Sequence, residues 1–114
     1  MSNSFRDLVV WQKSFVLVND VYKLCQRLPK NEEFGLKSQV QRSAVSIPSN
    51  IAEGQQRSSA KEFSHFLSIA RGSAAELSTQ LQLLDSLYQL DTKQLISELE
   101  DIQKMLYGLQ NKLG

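Results

Sequence analysis

Histidine and cysteine occur once each, as His65 and Cys25, and the 114 residues include only two prolines and five glycines. A single cysteine excludes an internal disulfide and fits a reducing, cytoplasmic setting. So little Gly and Pro excludes a loop-rich or all-β chain. No apolar run approaches the roughly 20 residues that span a bilayer, so no membrane partner is expected. The opening stretch MSNSFRDLVVWQKS lacks a basic region followed by an uninterrupted apolar one, so no secretory leader is expected. Neither charge sign dominates: 13 basic against 12 acidic side chains leave a net charge of +1.

The charges are unevenly placed. Residues 37–75 carry five basic and two acidic groups, a net +3, whereas residues 76–114 carry three and six, a net −3. A basic middle and an acidic end give a small molecule faces of opposite sign. Such faces can meet in a neighbouring subunit, or the basic one can hold a polyanion. A mixed, solvated surface explains the same charges about as well.

What the chain does have is helical amphipathicity. Leu8, Trp11, Phe15, Val18, Tyr22 and Cys25 alternate steps of three and four, which predicts a helix over about 8–27. Val10, Leu17, Val21 and Leu24 widen its apolar surface beyond what one partner needs, so it reads as buried on two sides. Pro29 ends it, and Asn31 with Glu32 and Glu33 offers a cap and an acidic first turn for a second helix, about 33–54. The second stripe is Leu36, Val40, Ala44, Ile47 and Ile51, with Gly54 as a C-terminal cap.

Ser59 and Glu62 spell a capping box that opens a third helix, about 59–87. Its inner face is Phe63, Phe66, Ala70, Ala74, Leu77, Leu81, Leu84 and Tyr88. The small residues Ala70, Gly72, Ser73, Ala74 and Ala75 would let another helix come close. DTKQ is a second capping box, opening a helix over about 92–109 with a seam of Leu95, Leu99, Ile102, Leu106 and Leu109. No strand alternation, repeat or domain boundary is visible. The expectation is all-α: one antiparallel up-down four-helix bundle over residues 1–114.

Pro48 interrupts the second stripe. It has no N–H for the carbonyl of Ala44, and its ring crowds that carbonyl, at a cost of about 3 kcal/mol. A kink would relieve the clash, with Ser46, Ser49, Asn50 or water serving the freed acceptor. The alternative is a break at Ile47. The kink is the favoured expectation.

Chemistry is sparse. Glu62-x-x-His65 matches half of a di-iron carboxylate pattern, but that pattern needs the motif on two helices and two further carboxylates. A single histidine cannot complete it, so no metal or other cofactor is expected. Cys25 sits on the apolar stripe, where a buried structural thiol is the usual outcome. Phosphate loops and zinc spacings are absent. The seven serines from Ser38 to Ser64 read as caps and close-packing groups rather than nucleophiles. No catalytic residues are nominated and no enzyme is expected. Lys37, Arg42, Arg57, Lys61 and Arg71 are the candidate contacts to nucleic-acid phosphates. The three arginines could equally pair with Glu53, Glu62 and Glu76.

RSAVSIPSNIAEGQQR, followed by EFSHFLSIARGSAAEL, resembles the small bacterial four-helix-bundle proteins encoded within intervening sequences of 23S ribosomal RNA genes. FRDLVVWQKSF and VYKLCQRLP are similar to that family's first helix. The likeness spans about residues 5–110, and SIPSNIAEG is its most specific part. Ser46, Pro48, Asn50, Glu53 and Gly54 match the family signature on helix two; Arg57, Arg71, Ser73 and Glu76 match flanking positions around helix three. The resemblance implies an up-down bundle. Family members and the related accessory protein of diversity-generating retroelements form homopentamers, and that relative binds nucleic acid and a reverse transcriptase through a basic surface.

The expected function is therefore a non-enzymatic homo-oligomeric interaction module, a pentamer by resemblance, with Trp11 and Phe15 at the interface between copies. The alternative is an accessory protein that binds RNA or a ribonucleoprotein through a basic surface on helices two and three.

Overall fold

A computed structural model describes residues 4–114. Residues 1–3, the start of the domain expected over 1–114, lie outside the described residues. The four long elements are α1 (Val9–Cys25), α2 (Leu36–Gln55), α3 (Ala60–Tyr88) and α4 (Lys93–Leu113). Short 3-10 turns at Phe5–Asp7 and Lys30–Glu32 precede α1 and α2. Each helix packs on its two neighbours in chain order, and α4 closes back on α1. The short links reverse the chain each time, giving the up-down bundle. At about 1.5 Å per residue α3 is about 43 Å long, which sets the long axis of a 45 × 22 × 21 Å molecule.

The core is a column of aliphatic side chains. Leu17 and Val21 of α1 meet Val40, Ala44, Ile47 and Ile51 of α2, Leu67 to Leu84 of α3, and Leu99 to Leu106 of α4. The α2 and α4 stripes lie inward as the spacing predicts, except that Leu36 and Leu109 are only partly buried. On α1 the order is different. Val10, Ser14, Leu17, Val21, Leu24 and Cys25 point inward, while Phe15 and Tyr22 of the three-four stripe are exposed. The residues that seemed to widen the stripe are its inner half. On α3 the inner face lacks full burial of Phe63, Phe66 and Tyr88 and gains Leu67 and Gln80.

Several expected ends move. The second helix begins at Leu36 rather than 33, because Lys30–Glu32 is spent on a 3-10 turn. Glu32, not Asn31, serves the new N-terminus: its Oε1 accepts from the Leu36 N–H at 3.0 Å. Tyr88 at the end of α3 donates its hydroxyl to the other oxygen of Glu32, fastening this turn to the bundle. The first helix stops at Cys25, two residues early, with the last turn closing onto Leu28 before Pro29. Ser59 caps α3 by accepting from the Glu62 N–H at 3.2 Å, the only half of that box formed. At α4 the box is not formed: Asp91 accepts from the Lys93 N–H at 3.1 Å, and Gln94 turns to Glu98. The fourth helix also continues to Leu113, where Leu113 packs on the core.

Gly54 is not a terminal cap. It lies inside α2, and a β-carbon there would stand 2.8 Å from Phe66 Cβ and 3.0 Å from Phe63 Cδ1. It is the close-approach residue between α2 and α3. Gly72, expected to play that part, has open space around it. The left-handed turn that ends α3 uses Gln89, at φ 54°, which aims the chain into α4 while Leu90 is buried.

Candidate functional site

Two grooves flank α2. The first lies between α1 and α2 and is apolar, about 590 Å³, with Trp11, Phe15, Val18 and Tyr22 on one wall and Val45, Pro48 and Ala52 on the other. Phe15 is 52% exposed, and Tyr22 and Val45 are exposed as well. The 3-10 turn before α1 backs its Trp11 wall. Phe5 packs on Trp11 with ring centroids 5.3 Å apart, and Trp11 on Phe15 at 5.2 Å. Offset and tilted ring pairs of this kind hold a fixed shape, so Phe15 is presented rather than loose. Phe5 was not singled out in the sequence, although the alternation Phe5, Trp11, Phe15 is readable there once the 3-10 turn is known.

The helix passes Pro48 unbroken, which disposes of a break at Ile47. The serines and asparagine around it are used differently from expectation. Asn50 Nδ2 donates to the Ser46 carbonyl at 2.8 Å and to Ser46 Oγ at 2.9 Å, not to the Ala44 carbonyl. Ser46 Oγ in turn meets Ser73 Oγ of α3 at 2.7 Å. One turn earlier, Ser43 donates to Glu76 Oε1 at 3.1 Å. Thus Ser46, Asn50, Ser73 and Glu76 of the signature form a polar seam between α2 and α3. Gly54 continues that seam as a steric notch. Pro48 faces the other way, into the apolar groove.

The second groove lies on that seam, between α2 and α3. It is polar, about 490 Å³, and is lined by Arg42, Ser43, Ser46, Ser73, Glu76 and Gln80, with Phe34 at its lip. Gln80 escaped the sequence reading. It breaks the apolar register of α3 between Leu77 and Leu81, and that is the signal that could have found it.

The five basic candidates are not gathered into one patch. Lys37 lies in the first turn of α2 and Arg57 two residues past its end, so about 27 Å of helix separates them. Lys37 pairs with Glu33 at 3.0 Å and Arg57 with Glu53 at 2.9 Å. Arg57 also lies 4.8 Å above the Phe66 ring. Of the pairings expected for the three arginines, only this one forms: Arg71 instead donates to Gln110 Oε1 at 2.8 Å and covers the Tyr107 ring. Gln110 completes the tie through its amide, which reaches the Ser64 carbonyl and Ser68 Oγ. Arg71 therefore clamps α3 to α4. Arg42 and Lys61 are exposed, with no hydrogen bond or ion pair to any described residue.

Cys25 is buried, and that burial raises its thiol pKa despite the nearby Lys37 charge. His65 is exposed and edge-on to Phe66. Among the described residues no three His, Cys, Asp or Glu side chains come together, and no helix is long and apolar enough to cross a membrane.

These features define an all-α up-down four-helix bundle with an apolar groove on α1 and α2. The chain belongs to the 23S rRNA-intervening sequence protein family, whose model matches residues 6–108. It is also similar to a solved protein of unknown function from the S23 ribosomal protein family of Bacteroides thetaiotaomicron. That similarity is 29% identity with a TM-score of 0.81, covering 90% of this chain and 96% of the other. No curated protein matches the chain.

Proposed function

We propose that this chain is a non-enzymatic, cytoplasmic bundle that acts as a homo-oligomer, its copies meeting over the apolar groove between α1 and α2. The observation that carries the reading is α1 itself. It fills the core with one face and presents Trp11, Phe15, Val18 and Tyr22 on another, where Phe15 is 52% exposed beside Val45 and Pro48. Apolar grooves of this kind on small soluble chains mark association surfaces. A second copy is the occupant favoured by the charge split, +3 in residues 37–75 against −3 in residues 76–114. Opposite faces on one molecule suit a head-to-tail contact, and head-to-tail contacts close into rings when the rotation permits. The family resemblance supports five subunits.

Light scattering on the purified chain tests this. The wild type is expected to elute as an oligomer at about 10 µM, and Phe15→Ser to shift it toward the monomer while the helical signal is kept. A monomeric wild type at that concentration overturns the proposal.

RNA binding through the five basic candidates draws less support, because three of them are already engaged within the chain. A salt titration with 23S ribosomal RNA fragments decides it. Absence of binding at low salt, where phosphate contacts are strongest, removes that reading.

A further inference from the structure

Phe34, in the turn before α2, is 96% exposed, far beyond the next large hydrophobics at 56%. It does not stand alone. Three pairs fix the register of α2 and its leading turn against α3: Ser46 with Ser73, Ser43 with Glu76, and Glu32 with Tyr88. Continued to Phe34, that register sets its backbone level with Asp85. Leu83 and Leu87 lie on either side of that level, on the strip of α3 that also carries Glu76 and Gln80, and both are exposed. Phe34, Leu83 and Leu87 therefore make a projecting apolar patch on the α2–α3 face, at the end of the bundle where α1 and α3 finish.

Topology gives the two ends opposite charge. At the other end α1 and α3 begin and α2 and α4 finish. Divided at the helix midpoints, the half at that end (residues 4–17, 46–74 and 103–114) holds seven basic and three acidic side chains, a net +4. The half that carries Phe34 (residues 18–45 and 75–102) holds six and nine, a net −3. More than half of the α1–α2 groove lining, Trp11, Phe15, Pro48, Ser49 and Ala52, lies in the basic half. One patch is a projection and the other a hollow, and the halves that carry them differ in sign.

We infer that Phe34 of one copy, with Leu83 and Leu87 beside it, seats in the α1–α2 groove of the next copy. The inference rests on the proposed self-association and names the surface that the groove receives. A head-to-tail contact needs two different patches on every chain, and aromatic anchors seated in pockets carry much of the energy of an interface. Pro48 lies about 18 Å along α2 from Leu36. Neighbouring bundles are therefore staggered, which sets the acidic half of one against the basic half of the next. The two patches occupy adjoining faces of the bundle that share α2, about a right angle apart, so successive contacts turn around an axis instead of running straight.

Complementation tests this on the full chain, by sedimentation at the concentration where the wild type assembles. Phe15→Ser keeps the projection and spoils the groove; Phe34→Ser keeps the groove and removes the projection. Each alone is expected to run as a monomer with the wild-type helical signal. Their equimolar mixture is expected to form a dimer of about 26 kDa, two 12.9 kDa chains, and nothing larger, because each pair retains one projection and one groove. The mixture is followed up to about 0.5 mM, since a lone contact lacks the closure of a ring. Trp11, the single tryptophan, lines the groove, so the mixture should emit at shorter wavelength than the average of its components. A Phe34→Ser protein that assembles like wild type, while Phe15→Ser does not, overturns the inference and leaves the groove contact standing. So does a mixture that stays monomeric, since an intact projection and an intact groove would then have failed to meet. A monomeric wild type overturns the proposed function itself, and this inference with it.

Discussion

Gly54 and Gly72 show how differently one residue type can work in two helices of the same bundle. A methyl group at Gly54 would meet Phe66 Cβ at 2.8 Å and the Phe63 carbonyl at 3.2 Å, where α2 and α3 are closest. Glycine's low helix propensity is outweighed there by the lack of room. Gly54→Ala is expected to destabilise the protein by about 1–3 kcal/mol, the usual range for overpacking. Gly72→Ala, in open space, should stabilise it by up to about 1 kcal/mol. Thermal unfolding of the pair measures both, and a Gly54→Ala protein as stable as Gly72→Ala would contradict the close approach. Cys25 belongs to the same scale. Its thiol is buried and its pKa raised, chiefly by desolvation, so little reactive thiolate forms near neutral pH. A thiol reagent should modify it only on unfolding, and fast modification of the native protein would place it at the surface.

Among the elements, α1 explains most about what the sequence reveals. Its three-four spacing marked a helix and an apolar surface wider than one contact, and both are present. Spacing alone did not tell the inner half from the outer half. Two apolar stripes a hundred degrees apart look alike until the neighbouring helices fix the rotation. In α2 the core residues from Val40 to Ile51 were legible because polar residues separate them cleanly. The use of Ser46, Ser73 and Glu76 was not, since the Ser46–Ser73 and Ser43–Glu76 hydrogen bonds join positions 27 and 33 residues apart in the chain. The partner of Arg71 was hidden for the same reason: Gln110 lies 39 residues away.

Helix ends were the least legible, and the turn before α2 carries a pH signature. The Tyr88 hydroxyl, and next the Leu36 N–H, hold the Glu32 carboxyl below its ordinary pKa. Its contribution is therefore complete above the ordinary carboxylate range of about 4.3 and is lost as pH falls through the lower folded value. Tyr88 is shifted the other way, upward, by its bond to Glu32. That contribution is complete below about pH 10 and is lost as pH rises through the raised folded value. Tyr88→Phe should thus be less stable than wild type at neutral pH, with the gap narrowing at both extremes. Denaturant titrations at pH 3, 7 and 11 check it, and a gap that does not change with pH would show that the bond carries no linkage.

At the scale of the whole molecule, fold and function differ in how much a lone chain discloses. Four amphipathic stretches joined by short links leave few alternatives to an up-down bundle. In the proposed function, a groove lined by Phe15, Tyr22, Val45 and Pro48 is half of a contact whose other half belongs to a second copy, and one chain's sequence does not display it. Pro48 connects the two scales. It costs α2 a hydrogen bond inside the helix, yet its ring forms part of the groove wall. Pro48→Ala should therefore leave Tm of the isolated bundle no lower while weakening self-association, read by unfolding in parallel with sedimentation. A variant that associates as tightly as wild type would remove Pro48 from the interface.

Sedimentation equilibrium of the wild-type chain beside Phe15→Ser, at about 10 µM and physiological salt, asks the central question most directly. A particle near 65 kDa, five copies of the 12.9 kDa chain, that falls toward one copy in the variant is the predicted result. A wild-type mass of a single chain, or an oligomer that Phe15→Ser leaves intact, contradicts the assignment of this groove.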